Sequence, residues 1–339
     1  MRTAPRTIAL IVIVAVVAVG MTAFAVMAGA RQRAAVLAAP DVDQVELDTV
    51  TTGSRVVFRS TAPGVQYGLA AVVPLEDPAG PRAFTDRACD RIDATADQAI
   101  CLRTVRGIAT TFTAELLDSA WETVRTWPLP GIPSRTRFSP DGTLVSTTVF
   151  VSGDSYMSSG FSTRTRVERA EGEGYGDLED FTLIVDGTPI APVDRNLWGV
   201  TFVDDRTFYA TAASLVAGKT WLVRGDLSDR TLTALRENVE CPSLSPDGTR
   251  VAFKKDVGGD DGKFWSVAVL DLASGVETVL DGEERSIDDQ LEWLDDSTLL
   301  YGMPRVDEPG VTDVWSIAVA EGSTPGVFIP QAWSPSVVR

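Results

Sequence analysis

The chain has 339 residues, of which 30 are basic and 47 acidic, with no histidine and three cysteines. A net charge of −17 sets the surface against nucleic-acid backbones. The missing histidines exclude Ser-His-Asp and Cys-His catalysis and His-ligated zinc, and three cysteines are too few for a Cys₄ site or a disulfide scaffold.

In chain order, residues 1–7 form a short tail carrying Arg2 and Arg6. Ile8 to Ala30 are 23 consecutive uncharged residues. At the helical rise they cover roughly 34 Å, enough for a ~30 Å hydrocarbon core. Residues 8–30 are therefore expected to be a single transmembrane helix or signal anchor, with the tail cytoplasmic and the rest extracytoplasmic. Ala28-Gly29-Ala30 also suits a small-x-small cleavage site, so secretion after signal cleavage is the rival reading. Residues 31–46 lack a sustained period and read as a tether. The part beyond Arg33 keeps 26 basic and 47 acidic residues, a charge of −21 that favours solubility and repels anionic headgroups.

Repeats fill the remainder. Phe138-Ser-Pro-Asp-Gly-Thr-Leu-Val returns as Leu244-Ser-Pro-Asp-Gly-Thr-Arg-Val, with degenerate copies beginning at Phe202 and Trp293, a weaker one at Ile92 and a truncated one at Trp333. The apolar anchors 92, 138, 202, 244, 293 and 333 are spaced by 46, 64, 42, 49 and 40 residues. Such a period with short strands indicates propeller blades. Pro140, Asp141 and Gly142, and again Pro246, Asp247 and Gly248, supply the fixed φ, the backbone-capping carboxylate and the positive φ of a tight turn between the first two strands. Trp221, Trp265 and Trp315 open third strands, and Tyr67, Phe112 and Phe181 are expected at the equivalent places. Repetition assigns the tryptophans to packing between blades.

The two ends of the repeat region complement each other. Gly53-Ser-Arg-Val-Val-Phe58 matches Gly248-Thr-Arg-Val-Ala-Phe253, which follows a Ser-Pro pair. The final strand is therefore expected to complete the blade begun by residues 47–85. The sequence reads as an all-β, six-bladed propeller over 47–339, with four-stranded antiparallel blades closed by pairing of its N- and C-terminal strands.

The Ser-Pro-Asp-Gly turns at 139–142 and 245–248, with the later aromatic-x-Val-x-x-Asp-Leu strand, resemble the propeller repeat of the TolB family over roughly residues 47–339. The resemblance implies a six-bladed propeller that binds partner proteins outside the cytoplasm without catalysis. The family's additional N-terminal α/β domain has no counterpart here.

Candidate sites follow from departures from the repeat. An inserted loop at 152–176 accounts for the 64-residue spacing. Tyr156, Met157, Phe161, Arg164, Arg166 and Arg169 within it are residue types enriched in interfaces and form the candidate partner-binding loop. The competing reading is a long hairpin with solvated charges. Asp256, Asp260, Asp261 and Gly262 fall short of a calcium-loop spacing, and turn chemistry explains the paired acids elsewhere. Cys89 and Cys101 are placed to form a disulfide in an oxidising compartment, while Cys241 reads as a small buried residue. No P-loop, dinucleotide fingerprint or nucleophile elbow is present. The expectation is a protein or cell-envelope partner, no nucleic acid and no cofactor. The enzymatic alternative is a calcium-dependent hydrolase with carboxylates lining the channel.

Overall fold

The two Ser-Pro-Asp-Gly copies fold into the same turn. The serine hydroxyl donates to the aspartate, Ser139 Oγ to Asp141 Oδ1 and Ser245 Oγ to Asp247 Oδ1, both at 2.5 Å. That aspartate oxygen also accepts the N–H of Thr143 at 3.1 Å and of Thr249 at 3.0 Å. Gly142 and Gly248 take φ of +72° and +71°, which a Cβ would strain. The degenerate copies cap with an aspartate one position earlier: Asp204 Oδ1 accepts the Thr207 N–H at 2.6 Å and Asp295 Oδ1 the Ser297 N–H at 2.7 Å.

The structure is a computed structural model describing residues 5–37, 42–151, 162–259 and 262–339, with side chains of the first segment described from 9 to 31. One unit holds helix α1 (Pro5–Leu37), in which Ala9–Arg31 is long and apolar enough to cross a membrane. The helix outruns the apolar segment, so the expected tether from residue 31 is shortened. Arg31-Gln-Arg-Ala-Ala-Val-Leu37 contains no breaker, and most of its residues are good helix formers.

The second unit is a propeller of six sheets. Blade one contains β1 (Arg55–Ser60), β2 (Leu69–Pro74) and β3 (Ala83–Ala88). Blade two contains β4 (Arg91–Ala94), β5 (Gln98–Val105), β6 (Thr111–Asp118) and β7 (Thr123–Leu129). Blade three contains β8 (Ile132–Phe138), β9 (Leu144–Val151), β10 (Ser162–Arg169) and β11 (Gly174–Asp177). Next in the chain is a hairpin, β12 (Thr182–Val185) and β13 (Thr188–Ile190). Blade four contains β14 (Arg195–Phe202), β15 (Thr207–Ser214), β16 (Lys219–Asp226) and β17 (Thr231–Glu237). Blade five contains β18 (Glu240–Leu244), β19 (Arg250–Asp256), β20 (Trp265–Asp271) and β21 (Glu277–Leu280). Blade six contains β22 (Glu292–Asp295), β23 (Thr298–Pro304), β24 (Thr312–Ala318) and β25 (Gly326–Ile329). The chain ends with β26 (Ala332–Val338), which pairs antiparallel with β1 and becomes the innermost strand of blade one. The predicted ring closure is present.

Its register differs from expectation. Val56 pairs with Val337, as Val251 pairs with Leu244, so Val337 rather than Trp333 occupies the anchor position of blade one. Trp333 pairs with Arg59, four residues away. Ser334, with a φ of +54°, and the register shift between Val57 and Arg59 absorb the difference. By the same comparison Ala94, paired with Ala99, replaces Ile92 as the anchor of blade two. Ile92 lies two residues before Ala94 and so on the same face of its strand, whereas Trp333 and Val337 pair with Arg59 and Val56 on opposite faces of β1, the irregularity at Ser334 having broken the alternation.

Two further expectations are corrected. Residues 162–169 and 174–177 are the third and fourth strands of blade three, so the segment 152–176 is not a single loop. Part of the long spacing comes instead from the β12–β13 hairpin. β12 runs parallel to β17, making blade four a six-stranded sheet. Phe181, expected on a third strand, lies just before β12 and is buried in the core between blades three and four with Leu144, Val167, Leu197 and Phe208. Apolar seams of this kind hold neighbouring blades together; Val56, Phe58 and Val73 of blade one pack on Leu300, Val314 and Ile329 of blade six.

Candidate functional site

The six innermost strands surround the channel, and the residue just before each anchor is polar. These residues are Asp93, Arg137, Thr201, Ser243, Glu292 and Ser336. Four of them accept the anchor N–H of the next blade. Ser336 Oγ takes the Ala94 N–H at 2.9 Å, Asp93 Oδ2 that of Phe138 at 2.7 Å, Thr201 Oγ1 that of Leu244 at 3.1 Å, and Glu292 Oε1 that of Val337 at 3.4 Å. At the seam of blades five and six the Trp293 indole donates to the Ser243 carbonyl at 2.9 Å. Each inner strand would otherwise leave an outward N–H without a partner, and a buried one costs about 1–3 kcal/mol.

Charge is arranged inside this ring. The Arg137 guanidinium lies 2.9 Å from Glu292 Oε2 and donates to Ser243 Oγ at 3.2 Å. Burial pushes the Asp93 carboxyl up to about 6, against the lowering pull of Arg137. Two residues back along the strands lies a second level containing Arg91, Arg135, Gly199, Cys241, Gln290 and Ser334. Burial pushes Arg91 down to about 10, still charged at neutral pH. Arg91 donates to Asp289 at 3.2 Å and stacks over Trp333 at 4.9 Å. Gly199 is required at its position: it has a φ of +66°, and a Cβ there would lie 2.7 Å from Cys241 Cα.

The turn face opens into a funnel of about 740 Å³. Asp97, Asp141 and Asp247 stand at its rim, Asp93 and Glu292 deeper, and Arg137 and Arg339 are its two cations. Phe138, Phe202, Leu244 and Trp293 supply apolar wall. The funnel is thus acidic with an apolar lining.

The predicted loop residues separate. Tyr156, Met157 and Phe161 lie outside the described residues. Arg164 and Arg166 project from β10 and both hold Asp177 at 2.5 Å. Burial alone would raise the Asp177 carboxyl, but the two guanidiniums outweigh it and hold it below its ordinary range. Arg169 stacks over Tyr175 at 4.8 Å. Near them Glu179 accepts the Thr165 N–H with both oxygens at 3.0 Å, and burial pushes its carboxyl up to about 7.

Cys89 and Cys101 are bonded, with an S–S distance of 2.06 Å, and Cys241 is free and buried. Trp221 is enclosed in the core, whereas Trp265 and Trp315 are half-buried beneath cations, Lys254 at 4.6 Å and Arg285 at 4.0 Å. Asp256 accepts the N–H groups of Gly258 and Phe264 at 3.0 Å each, while Asp260 and Asp261 lie outside the described residues. Among the described residues no three acidic or thiol side chains converge as a metal-ligand set.

The inner polar ring was not anticipated from sequence, although a signal existed. A polar residue precedes the apolar anchor in each of the four clearer copies: Arg137, Thr201, Ser243 and Glu292.

Fold and channel define a six-bladed β-propeller with Ser-Pro-Asp-Gly turns and a polar core ring. No family model and no curated protein sequence matches the chain. Among solved structures it is similar to TolB from Acinetobacter baumannii, with a TM-score of 0.51 and 16% identity over 84% of this chain and 67% of that one. It is also similar to the putative TolB from Agrobacterium tumefaciens, with a TM-score of 0.48 and 11% identity over 83% of this chain and 90% of that one. At such identities the likeness is one of fold.

Proposed function

We propose that the chain is a non-catalytic, membrane-anchored protein of the cell envelope whose TolB-like propeller binds a protein partner at the turn-face funnel. The acidic, apolar-lined funnel carries the reading. Five carboxylates against two guanidiniums, above exposed turns on a rigid ring, suit a basic segment with an apolar anchor residue. The apolar N-terminal helix and the disulfide support placement outside the cytoplasm. The channel acids Asp93 and Glu292 are already engaged by backbone N–H groups and Arg137, which suits a structural role better than a catalytic one.

The test is site-specific photocrosslinking of the full-length protein in its native membrane. A photoreactive residue replaces Asp97 or Pro246 at the rim, and Val279 on the outer strand of blade five as control. Capture of one discrete protein from the rim positions and not from Val279 is expected. No adduct from the rim, or the same adducts from Val279, refutes the reading.

A further inference from the structure

The second level of the channel holds an excess of positive charge that its acids do not neutralise. Arg91, Arg135 and Lys254 meet there with Asp288 and Asp289. Lys254 is paired with Asp288 at 2.7 Å. Asp289 gives Oδ1 to Arg91 at 3.2 Å and Oδ2 to the Gly302 N–H at 3.1 Å. Arg135 is left 4.0 Å from Asp289 Oδ1, too far for a hydrogen bond. Its Nη1 donates to the Ser134 carbonyl at 2.8 Å, its guanidinium faces the Cys241 side chain, and its Nε has no hydrogen-bond partner and no surface open to solvent. Arg91 and Arg135 are both mostly buried, their side chains 14% and 13% exposed, yet open enough to meet a small ion.

We propose that this level of the channel is a binding site for a small oxyanion, with Arg135 as its principal ligand and Arg91 as its second. Three cations against two acids ask for negative charge. An oxyanion supplies it, because its several acceptor atoms match the planar donor fork. Arg91 and Arg135 already point at one common atom, Asp289 Oδ1, so an oxyanion beside that carboxylate touches both guanidiniums. Arg135 lies three residues back from Phe138 along β8, about 10 Å below the turn face, so this site is distinct from the acidic funnel. The same chemistry serves inorganic phosphate or sulfate and the carboxylate of an organic acid.

The experiment is thermal unfolding of the full-length protein in detergent, titrated with sodium phosphate, sulfate or acetate, with sodium chloride at matched ionic strength as reference. Excluded anions stabilise proteins generally, so the decisive quantity is the saturable part. A saturable rise in Tm is expected, with half-saturation shifted at least tenfold upward in Arg135→Gln. Saturation by phosphate or sulfate identifies an inorganic ligand, and saturation by acetate alone a carboxylate. Should Arg135→Gln fail to fold, Arg135→Lys keeps the charge and loses the fork, and is expected to shift half-saturation at least threefold. Curves that never saturate, or that saturate identically in wild type and variant, overturn the proposal, the second outcome assigning the ion elsewhere.

Discussion

Removing residues 332–339 should open the propeller rather than trim a tail. β26 pairs with β1 at five positions and buries Ala332, Ser336, Val337 and Val338. Losing two buried valines costs about 3–4 kcal/mol. The Ala94 N–H loses its Ser336 acceptor, and Asp93 Oδ1 loses the Ser336 hydroxyl at 2.7 Å. Glu292 loses the Val337 N–H, and β1 becomes an exposed edge. Orphaned buried groups at about 1–3 kcal/mol each bring the loss to roughly 8–10 kcal/mol. That rivals the whole stability of an ordinary domain, about 5–15 kcal/mol. Circular dichroism melts of the full-length and truncated proteins measure it, with Ser336→Ala as a single-joint control losing about 1–3 kcal/mol. A loss of this size lowers Tm by more than about 15 °C, so a truncated protein melting within about 3 °C of wild type would refute ring closure as a source of stability.

Stability should fall as pH rises from about 5 to 8, above the range in which the carboxylates held below their ordinary values, Asp177 and Asp288 among them, act in the opposite sense. Glu179 and Asp93 titrate at about 7 and about 6 in the fold, above their ordinary 4.5 and 3.8, so the stability they confer is complete below the unfolded values and lost as pH passes the folded ones. Each contributes up to about 3 kcal/mol, and urea melts at pH 5 and pH 8 should show a slope that Glu179→Gln and Asp93→Asn each reduce; a flat wild-type profile contradicts this. Cys89→Ser paired with Cys101→Ser should cost about 2–4 kcal/mol, and a reductant should destabilise wild type but leave the double variant unmoved. Trp221→Ala should cost about 3–5 kcal/mol and Trp265→Ala clearly less, since only the first ring is enclosed; equal losses in chemical denaturation would disprove that distinction.

The architecture was legible because its signals are local. Ser-Pro-Asp-Gly writes its own turn through Asp141 and Asp247, and the fragment at Arg55 matches the one at Arg250 in its glycine, arginine, valine and phenylalanine. Register was less legible. Ile92 and Trp333 are larger than Ala94 and Val337, and apolar size carries no information about position along a strand. The β12–β13 hairpin was missed because Thr182–Val185 reads as an ordinary blade strand, and nothing local says that it joins β17 in parallel. The channel ring was hidden for another reason. Asp93, Thr201 and Ser336 look like surface polar residues until the neighbouring blade supplies the N–H groups they satisfy. Arg164, Arg166 and Arg169 seemed available to a partner for the same reason: Asp177 and Tyr175, which engage them, only become neighbours once blade three has formed.

Five of the six joints between neighbouring inner strands carry a side-chain to backbone hydrogen bond, and no two of them use the same residue type. A serine serves one, a buried aspartate the next, a threonine another, an indole and a carbonyl a fourth, and a glutamate the last before the circle begins again. Sheets built from near-copies of one motif could in principle exchange places or join out of turn during folding. Here the length and volume of the side chain differ from joint to joint, so a misplaced neighbour meets an acceptor of the wrong reach or an indole with no carbonyl beside it. Repetition makes the six units alike enough to stack, and the differences at their borders give each only one correct address.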